Sequence, residues 1–153
     1  MINNSEKYII IEIIPTTSKR ETGDIAQISA LKLNGLSLLD RFDYRINKDK
    51  IINPSILEII SYDDDLFTYL NSTDELIEEF KNWSEDLPIL ILDNDYTKDY
   101  LKDLNNEKIS ISKYLNKEYT DNFIDELIEE YNLEPSNYIV DLLYESLINK
   151  NNS

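Results

Sequence analysis

From Tyr8 to Ile14 the chain is apolar and mostly β-branched, interrupted only by Glu12. A run this short without alternation predicts a strand buried on both faces. A second strand is expected over 25–33 and a third over 38–46, with Asn34-Gly35 in the link between them. Asn-Gly between two apolar runs is the sequence signature of a tight antiparallel hairpin. The polar stretch 16–24 connects the first two strands.

After Pro54 the spacing of apolar positions turns helical, and short helices are expected over 55–60 and 63–70. Ser72-Thr73-Asp74-Glu75 then has the capping-box pattern, in which a Ser hydroxyl and a Glu carboxylate satisfy the first free N–H groups of a helix. Leu76, Ile77, Phe80 and Trp83 give that helix its apolar stripe. A buried strand over 87–92 precedes helices at 96–104, 120–131 and 136–148, with a further helical stretch at 109–115. Three strands, then helices, a strand and more helices predict an α/β fold: a mixed sheet opening with an antiparallel meander, joined by parallel strands and flanked by helices. No repeat, linker or change of composition divides the chain, so one domain over 1–153 is expected.

Composition narrows the chemistry. The 153 residues are 41% hydrophobic, with two glycines and four prolines, which is the profile of a folded protein rather than an acidic tail. There is no cysteine and no histidine. Thiolate chemistry, zinc–thiolate sites and the commonest general base are thereby excluded. The formal charge is −16, from 31 acidic and 15 basic side chains. Proteins that bind nucleic acid gain affinity by neutralising phosphates with Lys and Arg, so this chain is not expected to hold nucleic acid unaided. Its acidity fits a protein-binding surface, and also a nucleic-acid mimic that inhibits a basic protein. No stretch approaches the ~20 apolar residues of a membrane span. The first residues lack the basic and small-residue features of a signal peptide, so a cytoplasmic location without membrane association is expected. Nothing in the pattern indicates an oligomeric state.

Several segments together resemble the DnaQ-like (DEDD) 3′–5′ exonucleases. Tyr8-Ile9-Ile10-Ile11-Glu12-Ile13-Ile14-Pro15-Thr16 is similar to the family's first motif, a strand carrying Asp-x-Glu. Residues 24–33 resemble the second strand, Asp40-Arg41-Phe42 falls on the third, and Ile46-Asn47 stands where that strand ends. Residues 51–67 match the helical stretch that follows it, 90–101 match the second motif, and 136–142 match the third, which opens the last helix. The resemblance spans nearly the whole chain in the same order, and it implies a ribonuclease H-like fold.

It also implies a chemistry that these residues do not carry. Such exonucleases hold two divalent metals, Mg or Mn, ~3.5–4 Å apart on four carboxylates, with a His or a Tyr as general base. By position, Glu12 replaces the first Asp, Ile14 the Glu and Lys98 the Asp of the second motif, while Ser136 replaces the general-base His; Asp141 alone is kept. The resemblance therefore implies a catalytically degenerate exonuclease-like domain, with no catalytic residue, no metal and no other cofactor expected. Its expected role is to bind another protein or to regulate one, in a setting linked to nucleic-acid metabolism.

Two rescues of activity remain open on the sequence. A one-residue shift would bring Asp99 into the place of Lys98, with Asp93 or Asp95 assisting, and Mg or Mn would then sit on these with Glu12 and Asp141. Tyr138 could serve as base, although its spacing to Asp141 is one residue short of the family's Tyr pattern. Against these stands a structural expectation, that Lys98 fills the metal's place and forms an ion cluster with Glu12 and Asp141, since buried charges need partners.

Overall fold

The computed structural model describes residues 6–16, 23–47, 66–136 and 138–152. Three long strands come first: β1 (Lys7–Pro15), β2 (Ile25–Asn34) and β3 (Ser37–Ile46). They pair antiparallel in sequence order, with Glu12 opposite Ser29 and Ser29 opposite Asp43. Gly35 makes the tight β2–β3 turn at a φ of 60°, a backbone region that suits a residue without a Cβ. The hydroxyls of Tyr8 and Tyr144 hold this turn by donating to the carbonyls of Gly35 and Leu36, each at 2.6 Å.

Three short strands complete the sheet: β4 (Thr68–Leu70), β5 (Ile89–Ile91) and β6 (Lys108–Ser110). All three pair parallel, β4 on β3, β5 on β1 and β6 on β5, giving the order β4-β3-β2-β1-β5-β6. The mixed α/β sheet and its opening meander are those expected from the chain's pattern. The helices expected over 96–104, 120–131 and 136–148 run over Asp95–Leu101, Phe123–Tyr131 and Ile139–Asn151, and two assignments differ in kind. The helix expected over 63–70 is strand at Thr68–Leu70, and the stretch 109–115 divides into the end of β6 and a short helix. The helix expected over 55–60 lies outside the described residues.

Helices α1 (Thr73–Ser84) and α2 (Asp95–Leu101) cover one face of the sheet. Alternation along β1 sends Ile9, Ile11 and Ile13 to that side, where they meet Phe80 and Tyr100. Helices α3 (Ile111–Leu115), α4 (Phe123–Tyr131) and α5 (Ile139–Asn151) cover the other face. Tyr8 and Ile10 turn that way, onto Leu127, Leu143 and Leu147. The expected cap of α1 forms: Ser72 Oγ accepts from the N–H of Glu75 at 3.1 Å, and the Glu75 carboxylate reaches back to the N–H of Asn71 at 2.9 Å. No helix among the described residues is long and apolar enough to cross a membrane.

Candidate functional site

Glu12 sits on the face that α5 covers, in a sheet whose rows place Ser29 and Asp43 beside it. All three are buried, as are Gln27 and Arg45 further along the same face. These polar side chains replace apolar core where β1–β3 pass beneath the start of α5. Arg45 Nε donates to Gln27 Oε1 at 2.8 Å, and Gln27 Nε2 donates to Ser29 Oγ at 3.1 Å. The Arg45 guanidinium also lies 3.6 Å from the centre of the Phe67 ring, a cation–π contact strengthened by exclusion of water.

Arg41 is the organising cation. Its Nη1 donates to Asp141 Oδ1 at 2.8 Å and its Nε to Asp43 Oδ2 at 3.0 Å, linking β3 to the first turn of α5. Partial burial works to lower the pKa of this guanidinium, but the hydrogen bonds and charges of Asp43 and Asp141 outweigh it and hold the group more firmly protonated. Asp43 keeps one oxygen, Oδ1, buried without a hydrogen-bond partner.

Among the described residues no cation pairs with Glu12. Its Oε1 is buried and without a hydrogen-bond partner. Burial pushes its carboxyl up to about 8; a hydrogen bond from the backbone of Ile139 opposes this, and the charge of Asp141 adds to it. At neutral pH the group is therefore mostly protonated and uncharged. Tyr96, partly buried on α2, is raised in turn by its own burial, then by Tyr119 and Glu12.

The remaining candidate residues are dispersed. Ile14, half-buried, packs against the apolar core. Lys98 projects from α2 with 52% of its side chain exposed and pairs with Asp93 at 3.8 Å. The ion cluster expected of Glu12, Lys98 and Asp141 is thus corrected: Arg41 meets Asp141, while no cation among the described residues pairs with Glu12. The reason is placement: Arg41 on β3 reaches the first turn of α5, whereas Lys98 leaves α2 toward solvent. Asp99 pairs with Lys102 one turn along its own helix at 3.2 Å, and Asp95 is exposed at the start of α2. Asp93 accepts from Ser112 at 3.1 Å and also from Ser110. Asn94 caps α2 by accepting from the N–H of Thr97 at 3.0 Å. Ser136 is exposed and accepts from the N–H of Tyr138 at 3.0 Å. Tyr138 stands at the N-cap of α5 with its ring 6.2 Å from that of Phe67.

Arg41 and Asp43 were the functional residues hardest to see in the chain. Their spacing of two on a strand carried the signal, because such residues share a face, and the hairpin register sets that face beside Glu12.

The order β4-β3-β2-β1-β5-β6, with three leading antiparallel strands and parallel outer ones between two helical layers, defines a DnaQ-like exonuclease fold of the ribonuclease H-like kind. The zinc-bound form of the E. coli ExoI–ssDNA complex superposes with a TM-score of 0.61 at 12% identity, covering 95% of this chain and 40% of that one. The product-bound structure of exonuclease I gives 0.59 at 11% identity, covering 95% and 42%. In sequence, the PolC-type DNA polymerase III of Bacillus cereus is 25% identical over 81 residues, 53% of this chain and 6% of the polymerase. That of Staphylococcus epidermidis is 23% identical over 79 residues, again 6% of its length. The chain thus spans under half of the solved exonucleases and a small part of the polymerases. No family model matches it.

The residues at this site do not fit a pair of divalent metals. Such ions need several anionic oxygens free to coordinate. Here one carboxyl is mostly neutral and another is engaged by a guanidinium. Among the described residues no group of three or more Asp or Glu is gathered closely enough to hold a metal ion.

Proposed function

We propose that this chain is a non-cleaving domain with an exonuclease fold, reused as a protein-binding or regulatory module in nucleic-acid metabolism. The observation that carries the reading is the 2.8 Å pair between Arg41 and Asp141. A fixed guanidinium occupies the one carboxylate retained from the family pattern, and it also repels a dication by its own charge. The similarity to DNA polymerases and to an exonuclease crystallised with single-stranded DNA supports the link to nucleic-acid metabolism. The charge of −16 supports a protein rather than a polyphosphate as the bound partner.

The test is a calorimetric titration of the protein with Mn, followed by incubation with a 5′-labelled single strand in the same buffer. No binding heat and no shortening are expected. Metal binding with 3′–5′ shortening, both abolished by Asp141→Ala, would overturn the reading and restore an active site with relocated ligands.

A further inference from the structure

Asn34-Gly35 is the only Asn-Gly step in the sequence. Such a step favours a tight hairpin, and it is also prone to react with itself, because no Cβ shields the glycine nitrogen. In that reaction the nitrogen gives up its proton and bonds to the carboxamide carbon of the Asn side chain. Ammonia leaves and a cyclic imide remains. Water then opens the ring: attack at the former side-chain carbonyl gives an aspartyl residue, and attack at the backbone carbonyl gives an iso-aspartyl link.

The fold holds this pair in a geometry that blocks the attack. Asn34 is the last residue of β2, paired with Lys7 of β1 and with Ser37 of β3. Ring closure needs rotation about its Cα–C bond until the next nitrogen swings toward the side chain, and the extended backbone of a paired strand residue holds it away. The nitrogen is engaged as well, since the Gly35 N–H donates to the carbonyl of Glu6 at 2.7 Å. The Tyr8 and Tyr144 hydroxyls secure the next two carbonyls, those of Gly35 and Leu36, each at 2.6 Å. Burial raises the Tyr8 phenol above its ordinary value, and Glu6, Tyr144 and Tyr114 add to this, so the donor keeps its proton at neutral and mildly alkaline pH. The reacting side chain is held less firmly: Asn34 Oδ1 is buried without a hydrogen-bond partner. The restraint therefore lies in the backbone and the two tyrosines.

We propose that Asn34 is a latent deamidation site, kept closed by this clamp and opened by local release of the β2–β3 turn from β1 and α5. An iso-aspartyl link runs the chain through the former side-chain carbon and so lengthens the backbone where β2 enters its turn. The Asn34–Ser37 pair and the two-residue loop after it have no room for that insertion. A turn that has reacted therefore does not close again in register, and the modification records the opening irreversibly. Turn opening and closing is far faster than the chemistry, so the reaction rate follows the equilibrium population of the open turn.

The test is peptide mapping by mass spectrometry after incubation of the full chain at one neutral pH, in buffer and in urea. Loss of the Asn34 carboxamide is read from the peptide mass, and chromatography separates the two isomers. In buffer the reaction at Asn34 is expected to run at least about tenfold slower than in urea. Tyr8→Phe and Tyr144→Phe each remove one hydroxyl from the clamp, and each should speed the reaction in buffer about fivefold. Ser72→Ala removes a comparable hydrogen bond on the opposite face of the sheet and should stay within about twofold of wild type. Circular dichroism under the same conditions confirms that each variant is folded, and either tyrosine variant suffices if the other is not. Equal rates in buffer and urea would overturn the proposal, as would folded tyrosine variants that react no faster than wild type. Equal acceleration by Ser72→Ala would overturn it too, by assigning the reaction to global unfolding.

Discussion

Replacing Glu12 by Gln keeps the shape of a buried side chain and removes its capacity to ionise. In the folded protein the carboxyl titrates near 8, against an ordinary value of 4.5. Below pH 4.5 both folded and unfolded chains hold the proton, and Glu12 makes stability independent of pH. Between 4.5 and 8 the unfolded chain releases the proton while the folded chain keeps it, so stability falls as pH rises. Above 8 both are ionised and the loss is complete. The difference between the two values corresponds to a ceiling of roughly 5 kcal/mol, of which about 3 kcal/mol is already lost at pH 7. Water entry and relaxation around the carboxylate will reduce both figures.

Glu12→Gln should therefore be close to wild type at pH 4.5 and more stable by a few kcal/mol at pH 8. At low pH the neutral carboxyl and the amide resemble each other, since each retains an oxygen for the Ile139 backbone and leaves one polar atom unpartnered. Urea unfolding of both proteins from pH 4.5 to 9 gives the difference directly, and other titrating groups cancel within it. A difference that stays constant across this range, or a variant less stable than wild type at pH 8, would show that Glu12 is ionised in the fold and has a counter-charge. The account of the site as neutral at one corner would then be wrong.

Arg41→Met should cost about 3 kcal/mol in urea unfolding at pH 7, because it leaves the buried Asp43 without its cation. Combining it with Asp43→Leu should recover most of that loss, and a double variant as unstable as Arg41→Met alone would refute the pairing. Lys98→Ala, by contrast, removes an exposed pair with Asp93 and should change stability by less than about 0.5 kcal/mol. Phe80→Ala empties a fully buried position between α1 and the sheet and should cost about 3–5 kcal/mol. Ser72→Ala removes the cap of α1 and should cost about 1 kcal/mol, read in the same unfolding series.

The meander and its hairpin were legible because the signals are local: continuous β-branched runs, Asn34-Gly35 at the turn, Ser72 and Glu75 at the helix start. Strands β4 and β6 were not, for a reason of length. Three residues show no period, and their extended conformation is imposed by the strands beside them rather than by their own sequence. Tyr69 and Leu70 therefore read as the end of a helix. The same division runs through the site. That Glu12 lies on a buried strand and Asp141 in the first turn of a helix was legible, because the spacing of apolar residues marks both elements. Which cation answers Asp141 is a question of contact between residues 100 apart in the chain, and no local pattern encodes it.

The choice between Arg41 and Lys98 has a physical basis. Lys98 stands on α2 with about half of its side chain in solvent, beside Asp93. A lysine carries a strongly hydrated charge on a flexible stem, and its charge tends to stay in water unless a buried partner outweighs desolvation. Glu12 cannot outweigh it, because its own carboxyl is held neutral by burial. Arg41 is already half enclosed, shares a strand face with Asp43 and meets Asp141 with its planar fork, so a single guanidinium satisfies two carboxylates. With one acid neutral and two acids bound to one cation, the site beneath α5 holds itself together from within.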